Sequence, residues 1–144
     1  MELLNARGAE GDAGLVSRAQ DWIARTQLAS GAWSESPTEA GVPFSTALAL
    51  RGLLMGAAPG FSENVRRGVE WLLTDQLTDG SWSSHHMLRI PHPSNMEPWK
   101  QSYWNRDGKA INAVIKDHRR LYTTATAFTA LTEFDERLSK GEAR

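Results

Sequence analysis

Apolar residues recur at helical spacing in four stretches of this chain, separated by breaks rich in glycine and proline. Leu15, Ala19, Trp22 and Ile23 fall at i, i+4, i+7 and i+8, which puts them on one face of a helix. That helix is predicted from about Asp12, an N-cap residue type, to about Leu28, with Ser30-Gly31 ending it. A second helix of small apolar residues is predicted over about 44–57 and is broken by Pro59-Gly60. Ser62 is placed to cap a third, over about 63–77, where Glu63 suits the positive end of the helix dipole. Val65, Val69, Leu72 and Leu73 form its apolar face, and Thr78-Asp79-Gly80 stops it. A fourth helix is predicted over about 122–139. Strand-like alternation is confined to Met87–Ile90. Residues 1–11 are small and polar and are expected to fray. The fold class is therefore all-α, as two antiparallel helix hairpins.

The pattern is also repeated. Arg18-Ala19 is followed by Trp22-Ile23, Gln27, Gly31 and Trp33. Arg67-Gly68 is followed by Trp71-Leu72, Gln76, Gly80 and Trp82, in the same register and at a constant offset (67 − 18 = 49). Ser45-Thr46-Ala47 through Leu53 then aligns without a gap to Thr123-Thr124-Ala125 through Leu131, at a larger offset (123 − 45 = 78). The unit is thus a helix pair, and the second copy carries extra residues between Trp82 and Tyr122. A fixed period of this size marks a repeat architecture whose units bury their faces on one another. The expected organisation is one domain, with a first repeat over about 12–58 and a second over about 60–140 that holds an insert at 83–121. The small residues Ala47, Ala49, Ala125, Ala127 and Ala130 suit inner helices that approach their neighbours closely. The Trp-bearing helices would form the outer ring.

Composition narrows the chemistry. The chain has 144 residues, 40% of them hydrophobic and 23% charged, with a formal net charge of −1. Near-neutral charge offers no electrostatic case for nucleic acid or an anionic membrane. There is no cysteine, which excludes disulfides, thiol catalysis and cysteine-ligated metals, and agrees with a cytoplasmic location. No apolar run reaches the roughly 20 residues of a membrane span, and no leader is evident at Met1. The start at Met1 and the charged tail read as a natural short chain. Six tryptophans are many for this length, and four of them occupy matched places in the repeats, which suggests an architectural role.

The repeated pattern of Arg, Trp, Gln, Gly and Trp resembles the QW motif of the squalene–hopene and oxidosqualene cyclases, and more broadly the prenyltransferase/squalene-cyclase α/α-toroid superfamily. The resemblance covers about residues 12–82 and 122–139. It implies a partial α/α toroid. It further implies that Gln27 and Gln76 bond backbone groups at helix ends while Trp33 and Trp82 stack on the adjoining turns. A Gln amide is suited to orphaned helix-end groups. Two departures bear on activity. The Asp-x-Asp-Asp acid of the class II cyclases is absent, and the zinc set of the protein prenyltransferases needs a cysteine this chain lacks. No cofactor and no metal are expected.

The insert holds three of the four histidines and two tryptophans. Three readings apply to it. His85, His86 and His92 could hold a metal with Glu97 or Asp107, although adjacent histidines diverge. Trp99, Tyr103 and Trp104 could line a pocket or grip a partner, as aromatic residues do at interface hot spots. Or the segment simply covers an open end of the stack. Asp107, Asp117 and His118 are the candidate acids, the last two in a run that equally reads as a solvated helix start.

Two functions follow. One is a terpene-cyclase-like repeat module, non-catalytic alone, that acts by binding a partner protein or an apolar isoprenoid-type ligand. Its exposed stack ends call for a homo-oligomer or a partner. The other is a terpenoid cyclase-like or prenyl-transferring enzyme whose cavity is completed by oligomerisation or by a partner chain.

Overall fold

The computed structural model describes residues 10–35, 40–55, 59–101 and 112–141. Four helices dominate: α1 (Glu10–Arg25), α2 (Pro43–Leu54), α3 (Ser62–Asp75) and α4 (Leu121–Ser139). Between α3 and α4 lies a two-stranded antiparallel sheet of β1 (His86–Ile90) and β2 (Ala113–Lys116), which pairs Leu88 with Ile115 and Ile90 with Ala113. Short 3-10 turns occupy Pro59–Phe61 and Pro98–Lys100.

The hairpin order is outer helix, turn, inner helix, twice over. α2 is the hub: α1, α3 and α4 all pack on it. The core gathers Leu50, Leu53 and Leu54 of α2, Val65, Val69 and Leu72 of α3, Ala127 and Ala130 of α4, and Trp33 and Trp82 from the turns. The alanines matter because they let the two inner helices approach closely, leaving the bulk to leucine and tryptophan. Two small-repeat hairpins over one apolar core make a partial α/α toroid, with the small sheet as its non-helical addition.

Several sequence expectations change. α1 begins at Glu10, so Asp12 stands inside the first turn and not at the cap. Phe61, not Ser62, holds the N-cap position of α3, and no side chain caps it. The strand at Met87–Ile90 has a partner, Ala113–Lys116, that its four residues were too short to announce. Leu73 is 57% exposed, turned about 100° around α3 from the buried Leu72. Most telling, the predicted apolar face of α1 is split: Ile23 packs on the core, whereas Trp22 is 63% exposed and Leu15 and Ala19 are exposed too. α1 instead sends Gln20 inward, where its amide donates to the carbonyls of Gly52, Leu53 and Met55 at the end of α2. Gly52 and Leu53 lie in the last turn of α2 and Met55 is its C-cap, where helix geometry supplies carbonyls no further turn of amides, so a buried side-chain amide serves them.

Among the described residues, no helix is long and apolar enough to cross a membrane.

Candidate functional site

The two turns that join outer to inner helix are built from the same bonds. Gln27 Nε2 donates to the Gly31 carbonyl at 2.8 Å, and Gln76 Nε2 to the Gly80 carbonyl at 2.9 Å. Gly31 and Gly80 take positive φ (95° and 83°), a conformation open to glycine. Trp33 Nε1 donates to the Ile23 carbonyl at 2.7 Å, and Trp82 Nε1 to the Leu72 carbonyl at 2.8 Å. Each indole thus bonds a carbonyl near the end of the preceding helix while its ring enters the core.

A second set of bonds, unforeseen from sequence, fixes the inner helices. Trp33 N–H donates to Thr46 Oγ1 at 3.0 Å, and Trp82 N–H to Thr124 Oγ1 at 3.3 Å. Thr46 and Thr124 share the 78-residue offset of the inner helices, which was the available signal. Across the inner helices, Arg51 Nε meets both carboxylate oxygens of Glu133 at 3.1 and 3.2 Å. Both partners are substantially exposed, so this pair is worth at most about 1 kcal/mol.

Thr46, Leu50 and Leu53 turn one side of α2 toward the outer helices and the turns. The opposite side, by helical periodicity, presents Leu48, flanked by Phe44 and Arg51. On α4 the corresponding positions are Thr126, Tyr122 and Thr129. Leu48 and Tyr122 are exposed and Phe44 is half-buried. The side of the inner helices away from the outer layer therefore carries an aromatic residue at the same place on each helix.

A cleft of about 270 Å³ lies at the rim, lined by Leu77, Ser83, Ser84, Lys116, Asp117, His118 and Arg120. It brings together two of the candidate acids. Asp117 is only 8% exposed, and its Oδ2 accepts from the Thr123 N–H at 2.9 Å, the position of a helix-end cap. His118 is exposed beside it. Arg120, in the left-handed backbone region with φ of 58°, reaches Asp79 at 2.9 Å and ties α4 to the second turn. Asp107, Tyr103 and Trp104 lie outside the described residues, as does the side chain of Trp99. His85 and His92 are exposed, and among the described residues no three His, Asp or Glu side chains gather. His92 instead forms a turn with Ser94.

Two carboxyl groups of the second turn shift in opposite directions. Asp79 is held below the usual range, chiefly by the Ser81 hydroxyl, then by the Ser81 backbone N–H. Burial pushes Asp75 up, and its Oδ2 is buried with no hydrogen-bond partner among the described residues.

Comparison with known proteins agrees with this architecture. No curated protein matches the chain. Solved structures of the type II terpene cyclase MstE from Scytonema do. The apo enzyme is 29% identical with a TM-score of 0.80, over 94% of this chain and 41% of that one. A variant of it in complex with its substrate, geranylgeranyl dihydroxybenzoate, is 30% identical with a TM-score of 0.80, over 92% and 40%. A protein from Actinoplanes is 33% identical with a TM-score of 0.76, over 87% and 38%. The chain thus spans about two fifths of the length of these proteins. The family model of the squalene-hopene cyclase C-terminal domain covers residues 1–96. With that match joined to the paired helix hairpins and their type II terpene cyclase neighbours, the chain belongs to the squalene-hopene cyclase C-terminal domain family.

Proposed function

We propose that the chain is a terpene-cyclase-like module that binds an apolar isoprenoid-type ligand and does not cyclise it unaided. The observation that carries this is the open side of the inner helices, where Phe44 and Tyr122 stand at matched positions beside Leu48. Such a surface suits a polyprenyl chain, and aromatic faces also stabilise cationic character in a bound ligand. Trp99, Tyr103 and Trp104 are assigned to the same ligand or to a partner that covers it. The acid is what the chain lacks. It has no Asp-x-Asp-Asp, and Asp117 already accepts a bond from the first turn of α4.

The test is a titration of tryptophan fluorescence with geranylgeranyl dihydroxybenzoate, the substrate of the MstE neighbour, paired with product analysis. Saturable binding that weakens at least tenfold in Tyr122→Ser and Leu48→Asp, with no cyclised product, supports the module. Absence of saturable binding overturns it. Cyclised product from the purified chain, lost in Asp117→Asn, overturns it in favour of a cyclase-like enzyme.

A further inference from the structure

The first hairpin docks on the second through one interface, and residue types from each half of it recur, exposed, at the two edges of the described chain. Within the interface, Arg67 of α3 donates to the carbonyls of Leu28 and Ala29 in the first turn, at 3.1 and 2.6 Å. Gly68 sits close beneath Leu50 and Trp33. On the inner layer, Pro43, Ala47 and Leu50 of α2 are fully buried, and so are Thr123, Ala127 and Ala130 of α4.

The same positions can be read at the two edges of the chain. Subtracting the outer-helix offset takes Arg67, Gly68 and Trp71 back to Arg18, Ala19 and Trp22, and all three of these are exposed on α1. Adding the inner-helix offset takes Pro43, Ala47 and Leu50 forward to Leu121, Ala125 and Phe128, exposed on α4. The contrast is sharp: Leu50 is 0% exposed and Phe128 63%. The carbonyls that receive Arg67 correspond to those of Leu77 and Thr78 in the second turn. Leu77 there accepts from the Gly80 N–H, as Leu28 does from Gly31. One edge therefore offers an arginine, a small residue and a tryptophan. The other offers two turn carbonyls and an apolar stripe, and the edges differ from the internal interface in having Leu15 where Asn64 bonds Gln27 and Ala19 where Gly68 lies against Leu50.

We propose that these edges join head to tail, so that α1 of a second copy of this chain docks on α4 and the second turn of the first. Arg18 of the incoming copy would donate to the Leu77 and Thr78 carbonyls, and Ala19 would meet Phe128 as Gly68 meets Leu50. Such a contact is heterologous, with different patches on the two partners, and it builds rings or open chains of copies in place of a twofold pair. It buries the apolar surface of Trp22, Leu121 and Phe128, which is exposed on α1 and α4. Assembly through these edges is independent of the apolar ligand proposed above.

Arg18→Glu disables one edge and Phe128→Glu the other. Both side chains are exposed, so circular dichroism and melting temperature should stay near those of the parent. Light scattering on a size-exclusion column, over rising concentration, should show the parent as a multiple of one chain and each variant as a single chain. Mixing the two variants is the decisive step. Each retains the edge the other has lost, so the mixture should form a 1:1 pair and nothing larger. A parent that stays monomeric throughout overturns the proposal. So do folded variants that still associate alone, or a mixture that does not pair.

Discussion

The two turns of this molecule are the same object in different surroundings. Gln27 bonds its own turn and, in addition, exchanges two bonds with Asn64 of the next outer helix: its amide donates to the Asn64 carbonyl, and its oxygen accepts from Asn64 Nδ2. Gln76 makes the bond to its own turn and stands exposed. The difference separates what the repeated residues do by themselves from what a neighbouring hairpin adds. The turn is self-contained, and the neighbour seals it.

The comparison breaks most visibly at the tryptophans, which it treats as equal. Trp33 and Trp82 are both buried and both close a bond to the preceding helix. Either one changed to alanine should lose about 3–5 kcal/mol, read as a lower denaturant midpoint. An unchanged melting temperature for Trp82→Ala would refute its structural role. The glycines should differ. A Cβ at Gly31 would stand 2.7 Å from the Arg67 carbonyl oxygen, whereas one at Gly80 would meet nothing within 4 Å. Both changes carry the strain of positive φ, roughly 1 kcal/mol. Gly31→Ala should cost about 1–3 kcal/mol more, because backbone must move. Equal melting temperatures for the two would remove the distinction. Gln27→Ala should then cost about 1–3 kcal/mol by leaving Asn64 and helix-end groups unpaired, and Gln76→Ala a few tenths. A thermal scan of both variants decides this.

The smallest difference concerns pH. The second turn has Asp79 where the first has Ser30. Asp79 is held below its ordinary value, so its contribution is complete above the unfolded aspartate pKa of about 3.9 and is lost as pH falls through the lower folded value. Asp79→Asn should flatten the acid side of the stability profile. Asp75 has the opposite sign. Burial raises its pKa, so its ionisation removes stability as pH climbs from the ordinary value through the raised one. Asp75→Asn should lift stability at neutral pH relative to pH 4, measured by denaturant titration at both.

The helix pairs and their repetition were legible because each unit writes the same register of Trp, Gln and Gly. What periodicity could not report is what covers a face. Leu15, Ala19, Trp22 and Ile23 share one apolar face, as read, yet only Ile23 of the four packs on the core while the other three stand exposed. Leu73 looked like a core residue because it follows Leu72, and one residue on a helix is 100° of rotation. Gln20 escaped notice because a lone polar residue on an outer helix gives no hint that it faces three carbonyls. The acids near the second turn were recognised by type, but only geometry shows Asp117 engaged at the start of α4. β2 was invisible because Ala113–Lys116 is short and its pairing is long-range.

The Trp–Thr clamp has a practical consequence. It closes a span of 13 residues in the first hairpin and of 42 in the second, with nearly the same bond. For flexible loops, that difference in length costs only about 1 kcal/mol of closure entropy. The gap between Trp82 and Thr124 is therefore a port. Its length can change at little entropic cost so long as the buried Ala113 and Val114, and Asp117 and Arg120, which hold the start of α4, are kept.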